Sequence, residues 1–254
     1  MASADNGDTL GDTEVSAILL DAGGVLVFPR PGHVWPALRA AGLEPDLATL
    51  ERAHYRAMAA QDIEAQPPAP GTWWRNYMLT YAAACGASAI QAEQLATQIA
   101  LRPRSGSWAY AGLGVKDGLR ALAALGLPLG IVSNSDGSVE GDLRREGICY
   151  GPAAAGQEAQ GVPMGVIVDS AVVGVAKPDP RIFGFALDAL GVPVGGTVLH
   201  VGDSLRYDVA GALAAGLQPV HMDPYGLCPA PDGHRHIGSL TELAQALIST
   251  QRLP

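Results

Sequence analysis

Asp21 and Asp203 each close a short apolar run, Ala17-Ile18-Leu19-Leu20-Asp21 and Thr197-Val198-Leu199-His200-Val201-Gly202-Asp203. Such a run, ended by an acid and a glycine turn, reads as a buried parallel strand with its carboxylate at the carboxyl edge of a sheet. That edge is where open α/β sheets bind ligands. Two acids brought together there repel unless a hard cation such as Mg²⁺ lies between them. Two further segments end predicted strands or follow them: Ser133-Asn134-Ser135-Asp136 and Lys177-Pro178-Asp179-Pro180. The last segment, Gly202 to Ala212, adds Asp208 five positions after Asp203 (208 − 203 = 5).

These residue types suit phosphoryl transfer. A carboxylate can attack phosphorus and form an acyl phosphate, dividing one hard displacement into two. A second carboxylate helps hold Mg²⁺, which shields the nucleophile from the phosphate charge. A hydroxyl and backbone N–H groups bind the equatorial oxygens, and an ammonium neutralises developing charge. Singly, each has an ordinary explanation: an Asp after a strand forms turns, Ser-Asn caps helices, and Lys before Pro sits at a surface. Their order along the chain, each at a strand end or in the loop after it, is what points to one site.

The elements that must position them alternate. The pattern predicts a strand at Pro128–Ser133, a helix from Val139 to Glu146, a strand near Gly165–Val168, and a helix at Arg181–Leu190. The Asp203 strand, a helix at Tyr207–Ala215 and a strand at Gln218–Met222 follow. Ser239 with Glu242 caps a terminal helix reaching Ile248. Strands alternating with helices of this length imply a doubly wound parallel sheet. Ser133 follows Asp21 by 112 positions (133 − 21 = 112). There a helical stretch runs from about Val34 to Leu101, broken by Pro67-Pro68-Ala69-Pro70 and resumed at Trp73–Ala84. Ser88 and Gln91 form a capping box for another helix. The expected organisation is a tail over 1–13, a Rossmann-like α/β core from 14–30 and 106–254, and an inserted all-helical cap over 31–105.

The 254-residue chain is 48% hydrophobic, carries a formal charge of −9 and has no basic stripe. That balance argues against nucleic acid or an anionic membrane as partner. No apolar run reaches the ~20 residues needed to cross a bilayer. Cys85, Cys149 and Cys228 match neither a disulfide framework nor a zinc spacing, which fits reduced thiols in the cytoplasm. Oligomeric state is not legible.

With these four segments in order, the chain resembles the haloacid dehalogenase (HAD) superfamily of hydrolases over roughly Val15 to Pro224. The segment Asp169 to Phe183, containing Val175-Ala176-Lys177-Pro178-Asp179-Pro180, is typical of its phosphatase-like branches. The resemblance implies a Rossmann-like core with a helical cap between the first two motifs. It implies Asp21 as nucleophile, with Mg²⁺ shared by Asp21, the Gly23 backbone carbonyl and Asp203. Ser133, Asn134 and Lys177 would bind the phosphate of a small phosphorylated substrate, and Asp208 would anchor metal-bound water or Lys177.

One position departs from the family. Most phosphatases of this superfamily place a second Asp two residues after the nucleophile, as general acid and base, and here that residue is Gly23. Three readings follow: the substrate needs no acid, or Asp136, His33 or a cap residue substitutes, or turnover is lost. Phosphoryl hydrolysis is the favoured reading. A phosphate-binding protein without turnover and a metal-free 2-haloacid dehalogenase remain as alternatives. Trp73, Trp74 and Arg75 in the cap are candidate substrate contacts, with a stacking face and a cation for a sugar or nucleoside phosphate. His200 is expected to be a hydrogen-bonded core residue, and His234 and His236 to be exposed loop histidines.

Overall fold

The computed structural model describes residues 14–63, 72–100, 107–154, 159–193 and 195–251. The expected tail over 1–13 and the proline break at 67–70 lie outside them.

In chain order the elements are β1 (Val15–Leu20), β2 (Val27–Pro29), α1 (Pro31–Ala40), α2 (Leu47–Ile63), α3 (Trp73–Ala84), α4 (Ala89–Ala100), β3 (Trp108–Ala111) and α5 (Val115–Ala123). Then come β4 (Leu129–Ser133), α6 (Val139–Arg145), β5 (Cys149–Tyr150), β6 (Val162–Pro163), β7 (Val166–Asp169), α7 (Ser170–Val173) and α8 (Arg181–Leu190). The chain closes with β8 (Thr197–Gly202), α9 (Ala210–Ala214), β9 (Gln218–Met222), β10 (Arg235–Ile237) and α10 (Leu240–Gln251).

Six strands form one parallel sheet in the order β10-β9-β8-β1-β4-β7. The chain winds outward from β1 through β4 to β7, then crosses back to β8 and out to β10. The winding therefore reverses beside β1, which is where a doubly wound sheet leaves a crevice at its carboxyl edge. Because β8, β1 and β4 are neighbours, Asp203, Asp21 and Ser133 fall side by side along that edge.

Side-chain alternation along β1 explains the two layers. Ile18 and Leu20 face one cluster with Leu119 and Leu122 of α5 and Leu243 and Leu247 of α10. Ala17 and Leu19 face the other, with Ile182, Phe183 and Ala186 of α8. A third cluster belongs to the helical segment. It joins Leu38 of α1, Leu50 and Met58 of α2, Tyr77, Met78 and Tyr81 of α3, and Leu95 and Ile99 of α4. The Ser88 capping box forms as expected, with Ser88 N–H donating to Gln91 Oε1 at 3.0 Å, whereas at Ser239 the Glu242 N–H donates to Ser239 Oγ at 3.1 Å and the Glu242 carboxylate accepts from Gly238 N–H at 2.7 Å.

The structure departs from the sequence reading in several places, and two of them bear on the site. The helical segment is bracketed by an antiparallel pair, β2 with β3, in which Phe28 opposes Tyr110. Strands of three and four residues carry too little periodicity to register as such. The helix expected at Tyr207–Ala215 begins instead as a π-helical turn over Leu205–Val209 and becomes α-helical at Ala210. That wider turn brings the Asp208 carboxylate back under the chain, where its Oδ2 accepts from Ser204 N–H at 3.2 Å.

Candidate active site

The carboxyl edge of β1, β4 and β8 forms the floor of a cavity of about 610 Å³. Asp21, Asp203 and Asp208 converge there, each offering a carboxylate oxygen within 4.8 Å of the others. Lys177 Nζ lies between two of them, 2.9 Å from Asp21 Oδ1 and 2.6 Å from Asp208 Oδ1. All four residues are buried. Asp21 Oδ1 also accepts from Ala22 N–H at 2.7 Å, so both contacts fall on one oxygen of that carboxylate.

Burial sets the electrostatics. It raises the pKa of Asp21 despite the opposing charge of Lys177. Asp203 is pushed up by burial to about 6, against the lowering effect of a hydrogen bond from His54. Burial also works against the Lys177 ammonium, but Asp208 and Asp21 outweigh it and its pKa rises. For Asp208 the same burial is overcome by Lys177 and His200, and its pKa falls below the usual carboxylate range. His200 Nε2, 2.9 Å from Asp208 Oδ1, is the buried core histidine expected from its strand. Asp208 thus holds Lys177 charged and in place.

Ser133 lines the cavity, as do Asp136, Trp73 and Trp74. Asp136 also makes a turn contact, accepting from Ser138 Oγ at 2.6 Å. Asn134 lines the cavity too, but its side chain is committed elsewhere. Its Oδ1 accepts from Lys177 N–H at 2.7 Å and its Nδ2 donates to Lys177 O at 3.0 Å. The amide expected on phosphate instead fixes the backbone of the lysine loop. Arg75 is half-exposed and pairs with Glu93 at 2.5 Å, and it is not among the lining residues. Neither is His33, on the first turn of α1. These two candidate contacts are not brought to the site.

The sequence reading missed His54. From α2 its Nε2–H donates to Asp203 Oδ2 at 2.6 Å, and its Nδ1 shares a 2.9 Å hydrogen bond with the Tyr77 hydroxyl of α3. Next to it, the Tyr55 hydroxyl donates to Gly24 O at 2.7 Å. Asp62, two turns on, accepts from Leu205 N–H at 2.8 Å, from Arg206 N–H at 3.1 Å and from Ser204 Oγ at 2.9 Å. Leu50, His54, Met58 and Asp62 recur at four-residue spacing, so they share one face of α2. A His and an Asp on an otherwise core-facing stripe were the available signal. Gly24 lets the first loop close on this pair: at φ +70° a Cβ would collide with the Asp203 carboxylate and His54 Nε2.

Among the described residues lining the cavity, the acids are Asp21, Asp136, Asp142, Asp203 and Asp208, whereas Lys177 is the one lysine or arginine. The donors at the floor are hard oxygens. They fit Mg²⁺, and the surplus of carboxylates suits a divalent cation when an anionic ligand enters.

Solved structures share the architecture. HAD-hydrolase YfnB from Bacillus subtilis, bound to magnesium, superimposes with a TM-score of 0.57 at 19% identity, covering 92% of this chain and 99% of that one. A 2-haloacid dehalogenase from Pseudomonas syringae pv. Tomato gives 0.51 at 23% identity, covering 93% and 99%. In sequence, haloacid dehalogenase-like hydrolase domain-containing protein 3 of Danio rerio is 38% identical over 100 residues, 39% of this chain and 36% of the relative. Pyrimidine 5'-nucleotidase YjjG of Escherichia coli K12 is 38% identical over 88 residues, 32% and 37% of the two chains. Phosphoserine phosphatase of Thermus thermophilus is 42% identical over 89 residues, 32% and 34%. Each of these matches spans about a third of the length of its relative. Residues 15–216 match the haloacid dehalogenase-like hydrolase family as a whole, and with the sheet order and the carboxylate–lysine site in place, the chain belongs to that family.

Proposed function

We propose that this hydrolase cleaves small phosphomonoesters through a phosphoryl intermediate on Asp21, with Mg²⁺ held by Asp21, the Gly23 carbonyl and Asp203. The observation that carries the reading is Lys177 wedged between Asp21 and Asp208 on a floor that also presents Asp203 and Ser133. Bound there, Mg²⁺ supplies neutralising charge and Lewis-acid polarisation of a phosphoryl oxygen.

The chain's own residues do the rest. Asp21 Oδ1 is occupied by Ala22 N–H and Lys177, so Oδ2 is assigned the attack. The bond from Asp21 to phosphorus forms as the bond to the leaving oxygen breaks, and water later frees the phosphate. The Ser133 hydroxyl and the Lys177 ammonium hold equatorial oxygens. Asn134 and Asp208 position Lys177.

The leaving oxygen needs a proton that Gly23 cannot give. The helical segment contributes His54, Met58, Trp73 and Trp74 to the cavity lining, and of these only His54 has a side chain of the kind that serves as a general acid. We assign it the missing role: in its protonated form it gives up the Nε2 proton and keeps the Nδ1 proton on Tyr77. Helices α1–α4 act as the cap, excluding water and presenting Trp73 and Trp74 to the leaving group. Buried, unpaired Cys85 and Cys149 suit a reducing cytoplasm. No helix among the described residues is long and apolar enough to cross a membrane.

The test is release of phosphate from an activated aryl phosphate. Asp21→Asn and chelation by EDTA should each abolish it. Full activity surviving either change would overturn the proposal, and halide released from a 2-haloacid without metal would replace it.

A further inference from the structure

A second convergence of donors lies in the connection from β9 to β10. His221 in β9 and His236 in β10 are register partners in a parallel pair, so their side chains leave the same face. Cys228 and His234 reach them from the loop. One ligand atom from each of the four lies within 4.8 Å of all the others. His234 Nε2 is 3.3 Å from His221 Nδ1, and Cys228 Sγ is 3.7 Å from His234 Nε2. A tetrahedral zinc with bonds of about 2.0 Å to nitrogen and 2.3 Å to sulfur separates its ligands by roughly 3.3–3.6 Å.

Three further observations favour a ligand there. His221 Nε2–H donates to the Asp203 carbonyl at 3.2 Å, which leaves Nδ1 bare and turned to His234. That is the arrangement by which metal-binding histidines are oriented. Asp223 accepts from Leu227 and Cys228 N–H at 2.8 and 3.0 Å, holding the cysteine-bearing turn in place. His236 Nε2 is buried without a hydrogen-bond partner among the described residues, and a buried polar atom left so is costly unless something binds at the cluster.

We propose that His221, Cys228, His234 and His236 bind one zinc ion in a closed tetrahedral site that pins the β9–β10 connection beside Asp203. Three imidazoles and a thiolate are a borderline-soft set that suits zinc and not Mg²⁺. Four protein ligands leave no open position, so the ion is structural. The Cys228 thiol loses its proton to solvent on binding. Through the His221–Asp203 hydrogen bond, order in this loop reaches the backbone of a proposed Mg²⁺ ligand.

The test is zinc content and cobalt spectroscopy on the full chain. Protein grown with zinc and dialysed without chelator should hold about one zinc per chain. Asp21→Asn should hold the same amount, which separates this site from the carboxylate floor. Cobalt added to the stripped protein should show the thiolate charge-transfer absorption and intense visible bands of a tetrahedral site. Cys228→Ser should lose the charge-transfer band, and His234→Ala should weaken binding at least tenfold. If either variant fails to fold, the cobalt spectrum of the unsubstituted protein decides by itself. Zinc near background after dialysis against micromolar free zinc, or a cobalt spectrum without thiolate absorption, would overturn the proposal.

Discussion

His54 Nε2 stands 2.6 Å from Asp203 Oδ2 across 149 positions of sequence, joining the helical segment to the carboxyl edge of the sheet through a fully buried contact. Only 1% of the His54 side chain and 4% of the Asp203 side chain is exposed, so solvent screens the pair little. The helices are thereby tied to the residue that we assign to the metal.

Replacing His54 separates its two roles. His54→Ala strands the Tyr77 hydroxyl and deprives Asp203 of a partner, which should cost about 1–3 kcal/mol of stability by urea denaturation. Turnover of an alkyl phosphate should fall ~10²-fold, and that of a nitrophenyl phosphate much less, since a good leaving group needs no proton. Tyr77→Phe keeps the contact with Asp203 and should leave that ratio unchanged. Equal losses on both substrates would remove His54 from proton transfer.

Gly23 bears on the same proton. A Cβ there would stand 3.4 Å from the Trp108 ring, and no positive φ strains the position. Gly23→Asp should therefore be tolerated, and in the His54→Ala background it should restore alkyl phosphate turnover by on the order of 10²-fold. A double variant no faster than His54→Ala would show that the restored carboxyl does not reach the leaving oxygen.

The raised pKa of Asp203 makes stability depend on pH. Its carboxyl titrates near 6 in the folded chain against an ordinary value of 3.8, so the folded state binds a proton that the unfolded state releases. Its contribution, on the order of a few kcal/mol, is complete below the unfolded value and is lost as pH rises through about 6. In EDTA the melting temperature should fall as pH rises from about 3.8 to about 6, and Mg²⁺, which competes with that proton, should recover it at the upper end. Asp203→Asn should flatten both responses. An identical decline in that variant would place the titration elsewhere.

Asp62 holds the turn after Asp203 from α2, accepting two backbone N–H groups and the Ser204 hydroxyl. Asp62→Ala leaves those donors buried without a protein partner. It should cost about 2–4 kcal/mol in urea denaturation and lower kcat with little change in KM, because it loosens the turn that carries Asp208. A loss below about 0.5 kcal/mol would mean that water replaces the carboxylate.

The four segments are legible because each is local. An apolar run sets the strand, and the acid or hydroxyl that follows emerges at its end, which singles out Asp21, Ser133 and Asp203; Lys177 lies beyond the short helix α7 that follows β7 and is legible only from its Lys-Pro-Asp-Pro segment. Family resemblance added their grouping, and the sheet order β8-β1-β4 brings them together. His54 and Asp62 carried only a faint helical stripe. Asn134 looked like a phosphate ligand until its partner proved to be the backbone of Lys177. His234 and His236 read as exposed loop residues, because the β9–β10 pairing that sets His236 beside His221 leaves no trace in spacing. Short-range chain chemistry decides which side chains end the strands. Which side chains meet across 149 positions depends on how the helical layer and the β9–β10 loop pack, and only the tertiary structure decided that.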